Sequence, residues 1–227
     1  ACLARASERG WKITQIVNTH EHRDHTDGNA AVVRATGARV LAHAGAAARI
    51  GGVDRGLVAG DVIRVGRSVE LECLDTPGHT LTHVCLLAHG AENALISGDT
   101  LFNAGVGNCR NGGDPELLYS TCRTLLARLS ATTRIYPGHD YLVNNLRFTQ
   151  NVEPGNAAAG AWLERCGTLA PETMPLMTLK DELTVNSFFR LGEPGLREGL
   201  RQRVPELAAG ASEREVFLRL RELRNSW

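Results

Sequence analysis

The chain has 227 residues, 43% of them hydrophobic and 22% charged, enough apolar material for one substantial core and too much for disordered or fibrous classes. Lys and Arg (25) balance Asp and Glu (25), so the overall charge carries no footprint for nucleic acid or an anionic membrane surface. No apolar run approaches the roughly 20 residues of a spanning helix, and no leader pattern opens the chain, so a soluble protein with no membrane partner is expected.

In chain order, Cys2 to Arg9 reads as a helix stopped by Gly10, and the apolar run Ile13 to Val17 reads as a buried strand. A polar, histidine-rich loop follows. Asn29 to Ala35 is helical and ends at Gly37, and Arg39 to Ala42 supplies a short strand. Alternating stretches at Asp61 to Val65, Val69 to Leu74, Thr82 to Leu87 and Ala94 to Ser97, separated by Gly, Pro and Asp, read as strands of a sheet. Leu117, Leu118, Leu125 and Leu126 mark Asp114 to Leu129 as an amphipathic helix, and Thr133 to Tyr136 is a further strand.

From Leu142 to Trp227 the pattern is helix and loop, with Pro154, Gly155, Pro171 and Pro175 at the joints. Asn156 to Trp162 reads as a helix start. Ser212 and Glu215 form a capping box ahead of the apolar stripe Val216, Leu220 and Leu223, which predicts a terminal helix. The organisation reads as α/β over residues 1 to 141 followed by a helical appendage over 142 to 227.

Six scattered cysteines lack the paired spacing of zinc ribbons or redox dithiols, which fits free thiols in a reducing, cytoplasmic setting. His43 and His89 have no partner motifs and read as turn or surface residues. Trp11, Trp162 and Trp227 are too dispersed to form a stacking platform and read as packing residues.

The chemistry concentrates in Thr19-His20-Glu21-His22-Arg23-Asp24-His25, immediately after the first strand. In extended backbone, residues i and i+2 point the same way, so His20 and His22 can grip one ion while the turn carries Asp24 and His25 toward a second. Three more candidates stand at strand ends: His79 in Thr-Pro-Gly-His-Thr, Asp99 in Ser-Gly-Asp-Thr and His139 in Tyr-Pro-Gly-His. Singly, each is an ordinary turn; together with the loop they read as a metal site. His83 reads as a residue supporting the ligands rather than as a ligand.

This order of His-x-His-x-Asp-His, Gly-His, Gly-Asp and a late Gly-His resembles the metallo-β-lactamase superfamily. The resemblance implies an αββα sandwich with two divalent metal ions, zinc by first expectation and iron or manganese as alternatives. It places His20, His22 and His79 on one ion, Asp24, His25 and His139 on the other, and Asp99 between them. It also implies a metal-bound hydroxide as nucleophile, with Asp24 orienting it and taking its proton. Members begin with a pair of strands that is not seen here, so a chain lacking its first strands, or drawing them from elsewhere, is expected.

Gly98 to Gly105, Asn145 to Phe148, Val152 to Asn156 and Leu183 to Arg190 are similar to glyoxalase II, the hydroxyacylglutathione hydrolases. That likeness implies a small glutathione-derived thioester as substrate, with Tyr141, Arg221 and Arg224 as contacts. On residues alone, the two arginines read rather as a solvated basic face of a terminal helix, and the family likeness is what assigns them to substrate. Asn108 and Arg110 stand where glutathione-binding members usually have Lys and Tyr, and His139-Asp140-Tyr141 replaces the usual His-Glu-Tyr.

The His-Asp-Tyr form resembles persulfide dioxygenases, in which His20, His79 and Asp99 would hold a single iron and the substrate would be glutathione persulfide. A non-catalytic metal-binding module is the third reading, and the seven intact ligand positions argue against it.

Overall fold

The structure is a computed structural model, and it describes residues 1–170 and 173–227. Pro171, one of the expected joints, lies outside the described residues. Helix α1 (Cys2–Glu8) ends at Gly10, whose φ of 66° closes the turn. Strand β1 (Gln15–Val17) pairs in parallel with β2 (Arg39–His43), and β2 with β3 (Val53–Leu57), making a three-stranded sheet. Between β1 and β2 lie the single turn α2 (Arg23–Thr26) and α3 (Asn29–Thr36), which ends on Gly37 with φ 69°.

A second sheet has the order β10-β7-β6-β5-β4, built from β4 (Val62–Val65), β5 (Val69–Asp75), β6 (Val84–Ala88), β7 (Ala94–Gly98) and β10 (Arg134–Pro137). Strands β8 (Leu101–Phe102) and β9 (Gly105–Val106) form a small hairpin between β7 and helix α4 (Pro115–Arg128). Asp114 caps α4, its Oδ1 accepting the N–H groups of Glu116 and Leu117, with Pro115 in the first turn.

The two-residue period sets the layers. Along β6, Val84 and Leu86 face one core with Leu41, Leu57 and Ile63 between the sheets, whereas Cys85 and Leu87 face a second core with Leu118 and Leu125 of α4. Burial on both faces explains why Val-Cys-Leu-Leu-Ala reads as an unbroken apolar run. On β2, Leu41 faces inward and Val40 and Ala42 pack outward with Val33 of α3. Helix, sheet, sheet and helix are thus stacked in four layers.

The C-terminal third is helical: α5 (Leu142–Val152), α6 (Ala157–Cys166), α7 (Leu179–Val185), α8 (Pro194–Arg201) and α9 (Glu213–Ser226). Asn156 caps α6 through Ala159 N–H, and both halves of the Ser212/Glu215 capping box form at α9. Phe148, Val152, Phe188, Val216, Phe217 and Leu220 share one continuous core with β5, β6, β7 and α4. The helices are therefore packed onto the sandwich, not tethered beside it.

Three expectations need adjustment. The buried strand Ile13 to Val17 is three residues long and half-buried, because β1 is an edge paired to β2 alone among the described residues. Trp11 is 64% exposed, with the Arg9 guanidinium 5.6 Å from its ring, so it is not a packing residue. Strand β3 was not anticipated: its Asp54 and Arg55 interrupt the apolar pattern, but Asp54 accepts Val40 N–H and Arg55 pairs with Asp61.

Candidate metal centre

Strands β5, β7 and β10 run in the same direction, since β5 and β7 are each antiparallel to β6 and β10 is parallel to β7. Their carboxyl ends therefore open at one edge of the sheet, and His79, Asp99 and His139 follow directly. The loop after β1 is brought to the same edge by Val84 N–H donating to Thr19 carbonyl at 2.8 Å.

Alternation then sorts the loop. His20 and His22 approach His79, with ring centroids 4.8 and 4.7 Å away. Glu21, between them, turns the other way and accepts Thr80 and Thr82 hydroxyls at 3.0 and 2.8 Å and Arg49 at 2.9 Å, anchoring the loop from behind. The turn of α2 presents Asp24 and His25 to the far side, where His139 Nε2 lies 3.1 Å from His25 Nε2 and 3.2 Å from Asp24 Oδ2.

Asp99 stands between the two groups. Its Oδ1 is 3.3 Å from His25 Nε2, and its Oδ2 is 3.5 Å from His79 Nε2 and 3.4 Å from His139 Nε2. Ligand atoms gather in three overlapping sets within 4.8 Å: His20, His22 and His79; His20, His25 and Asp99; Asp24, His25 and His139. All seven candidate residues are present in them.

Hydrogen bonds on the remote nitrogens aim the rings. His79 Nδ1–H donates to Asn108 carbonyl at 2.6 Å and His22 Nε2–H to Asn111 carbonyl at 3.0 Å, which leaves His79 Nε2 and His22 Nδ1 as the free lone pairs, 3.0 Å apart. His20 Nδ1 meets the Thr19 hydroxyl at 3.1 Å, so its Nε2 points into the cluster. His83 uses both nitrogens elsewhere: Nε2 accepts Asp99 N–H at 3.1 Å, and Nδ1 meets the Thr76 and Thr100 hydroxyls. It supports the ligands, as expected, and cannot join them.

Burial favours the neutral form of His20 and His79, whereas the neighbouring Asp99 carboxylate raises His25. Burial, then the surrounding histidines, pushes His20 down to about 2, and burial lowers His79 as well. Burial opposes ionisation of Asp99, but the proximity of His25, and then of His79 and His139, outweighs it, so the carboxyl falls below its ordinary value.

Two buried polar atoms here, His20 Nε2 and Asp99 Oδ1, have no hydrogen-bond partner. A cation beside both would satisfy them, and the donor set is wholly imidazole and carboxylate, as zinc, iron and manganese accept. The residues fit a dinuclear divalent-metal centre.

A cavity of about 300 Å³ adjoins the cluster, and it brings together Asn108, Arg110, Tyr141, Arg221 and Arg224, the five candidate substrate contacts. Tyr141 stacks on His139 with centroids 5.3 Å apart, so the cavity opens against the ligands. Arg221 is 5% exposed and not solvated: its Nη1 donates to the carbonyls of Val106 and Gly107 and its Nη2 to Asn225. Burial lowers it to about 10. Arg224 lies over Phe148 and Trp227 and donates to Asn145 Oδ1 at 3.2 Å, and Arg110 donates to Asn225 carbonyl at 2.8 Å.

Sequence reasoning missed the supports. Thr19, Glu21 and the carbonyls of Asn108 and Asn111 fix the ligand rings, and Glu21 was visible in principle as the odd member of the His-x-His alternation. Backbone carbonyls leave no trace in residue type.

Fold and site define a member of the metallo-β-lactamase superfamily: residues 2–139 match the model of that superfamily, and residues 140–227 match that of the hydroxyacylglutathione hydrolase C-terminus. A hydroxyacylglutathione hydrolase of Polaromonas sp. is 57% identical over 225 residues, covering 99% of this chain and 86% of the relative. One from Nitrosococcus oceani is 52% identical over 226 residues, covering 100% and 86%. The chain belongs to the hydroxyacylglutathione hydrolase family. Among solved structures, ETHE1 from Myxococcus xanthus superposes with a TM-score of 0.65 at 24% identity, over 99% of this chain and 75% of that one, a likeness of fold.

Proposed function

We propose that the chain is a metal-dependent thioester hydrolase acting on a glutathione-derived substrate such as S-lactoylglutathione. The observation that carries this reading is the two-sided ligand cluster opening onto a cavity lined by Arg110, Arg221 and Arg224. Relatives at 57% and 52% identity bear the name of that activity.

In this reading His20, His22 and His79 would hold one divalent ion and Asp24, His25 and His139 the other, with Asp99 placed to serve both. Zinc is the first choice, with iron or manganese compatible with the same donors. Bound ions of this kind acidify water near neutral pH and polarise the scissile carbonyl. Asp24, the most exposed carboxylate of the cluster, orients the attacking water and takes its proton. The guanidinium groups of Arg110 and Arg224 and the hydroxyl of Tyr141 orient the anionic peptide part of the substrate, and Asn108 lines the same wall. Buried Arg221 adds positive charge beneath it. The unpaired state of the six cysteines supports a cytoplasmic setting, and no helix among the described residues is long and apolar enough to cross a membrane.

The single-iron dioxygenase reading uses only His20, His79 and Asp99 and leaves His22, Asp24, His25 and His139 without a task, although all lie in ligating range. The test is thiol release from S-lactoylglutathione and other acyl thiols, run beside oxygen uptake with glutathione persulfide. Thioester turnover without oxygen uptake is expected; oxygen consumption without thiol release would overturn the reading.

A further inference from the structure

Between Asp99 and Asn108 the chain makes the β8–β9 hairpin, and both of its ends bear on metal ligands. Asp99 immediately precedes it. At the other end, Gly107 packs so tightly that a Cβ would overlap the Asp99 carbonyl and crowd His79 Nδ1 at 3.0 Å, and the next carbonyl, that of Asn108, aims His79. At the tip, Ala104 takes φ 57°, the one positive φ of a non-glycine residue among the described residues.

The tip is held from outside the sandwich. Asn145 of α5 donates to Asn103 carbonyl at 2.9 Å, Glu182 of α7 accepts Ala104 N–H through both oxygens at 3.0 Å, and Asn186 donates to Gly105 carbonyl at 3.2 Å. Arg221 of α9 then takes the carbonyls of Val106 and Gly107 at 2.9 and 3.0 Å. Five consecutive residues are thus gripped by buried side chains of the C-terminal helices. Glu182 is fully buried, has no cation paired with it among the described residues, and its remaining partner is Asn186 Nδ2 at 2.8 Å. A carboxylate in that position contributes little to stability by itself.

We infer that Glu182 is a positioning residue for the metal centre: by fixing Ala104 N–H it sets the hairpin, and through the hairpin the placement of Asp99 and His79. The inference rests on the metal reading above. The helical region thereby acts on the ligands as well as on the cavity.

The experiment compares zinc affinity, by chelator competition, and thermal midpoint in the full chain, in wild type, Glu182→Ala, Glu182→Gln and Asp181→Ala. Asp181 closes the capping box of α7 with Thr178, so its loss weakens the same helix without touching the hairpin. Glu182→Ala is expected to weaken zinc binding by about tenfold, Glu182→Gln by less because it keeps one acceptor, and Asp181→Ala to lower the midpoint with wild-type affinity. Wild-type affinity in both Glu182 variants, or losses that track the midpoint in all three, would overturn the inference. If Glu182→Ala does not fold, Glu182→Gln decides alone, and wild-type affinity in it would overturn the inference. A wild-type protein that binds no zinc would instead overturn the metal reading.

Discussion

The Nδ1–H of His79 donates to the backbone carbonyl of Asn108 at 2.6 Å, so a ring of the candidate metal cluster and a wall of the neighbouring cavity are joined through one hydrogen bond. Because the acceptor is main chain, the two functions of Asn108 can be separated. Asn108→Ala is expected to change KM for glutathione thioesters by a few fold with metal content unchanged. Loss of a metal ion in this variant would contradict the separation.

Arg224 lines the cavity half-exposed with one hydrogen bond to Asn145, whereas buried Arg221 directs both terminal nitrogens to Val106, Gly107 and Asn225. Arg224→Ala is therefore expected to raise KM about tenfold with kcat little changed, the worth of one charged hydrogen bond. Steady-state kinetics at fixed metal content check this; an unchanged KM would remove Arg224 from substrate binding.

Gly138 leaves room for the Asp99 carboxylate: a Cβ there would overlap Asp99 Oδ1 and stand 2.9 Å from His25 Cε1. Gly138→Ala is expected to weaken metal binding by about tenfold or more while the fold survives, since the clash is confined to the cluster. Metal titration and circular dichroism on one sample distinguish this from unfolding.

The candidate cluster was legible in residue type: nothing else in this chain concentrates His and Asp at strand ends as His20 to His25, His79, Asp99 and His139 do. Strands β5 and β6 were legible as short apolar stretches between Gly, Pro and Asp, while the layering came from the family resemblance, since β6 is buried on both faces and shows no alternation. What stayed hidden works through backbone or through charge in an unexpected place. Strand β3 carries Asp54 and Arg55 on a pattern that reads as loop, the hairpin strands are two residues each, and Glu182 sits in Leu-Lys-Asp-Glu-Leu, where a buried carboxylate looks like any solvated helix residue.

Burial pushes Glu182 from its ordinary 4.5 up to about 8. A group whose folded value is raised stabilises most below its unfolded value and loses that contribution as pH rises through the folded one, here between about 4.5 and 8. Glu182→Gln has no such proton, so wild type should lose a few kcal/mol relative to it across this window, ~1.4 kcal/mol per pH unit at most. Urea unfolding of both proteins at saturating metal checks the sign; a constant difference would show that Glu182 ionises normally.

Asp24→Asn keeps an oxygen ligand and removes the proton acceptor. Turnover is expected to fall by about 100-fold or more with both ions retained. Undiminished turnover with both ions bound would take Asp24 out of proton transfer.

The most direct measurement is titration of metal-free protein with zinc while thiol release from S-lactoylglutathione is followed. The account predicts that two equivalents bind and that hydrolysis develops fully only as the second site fills. Full turnover at one equivalent, with the second ion unbound, would contradict it.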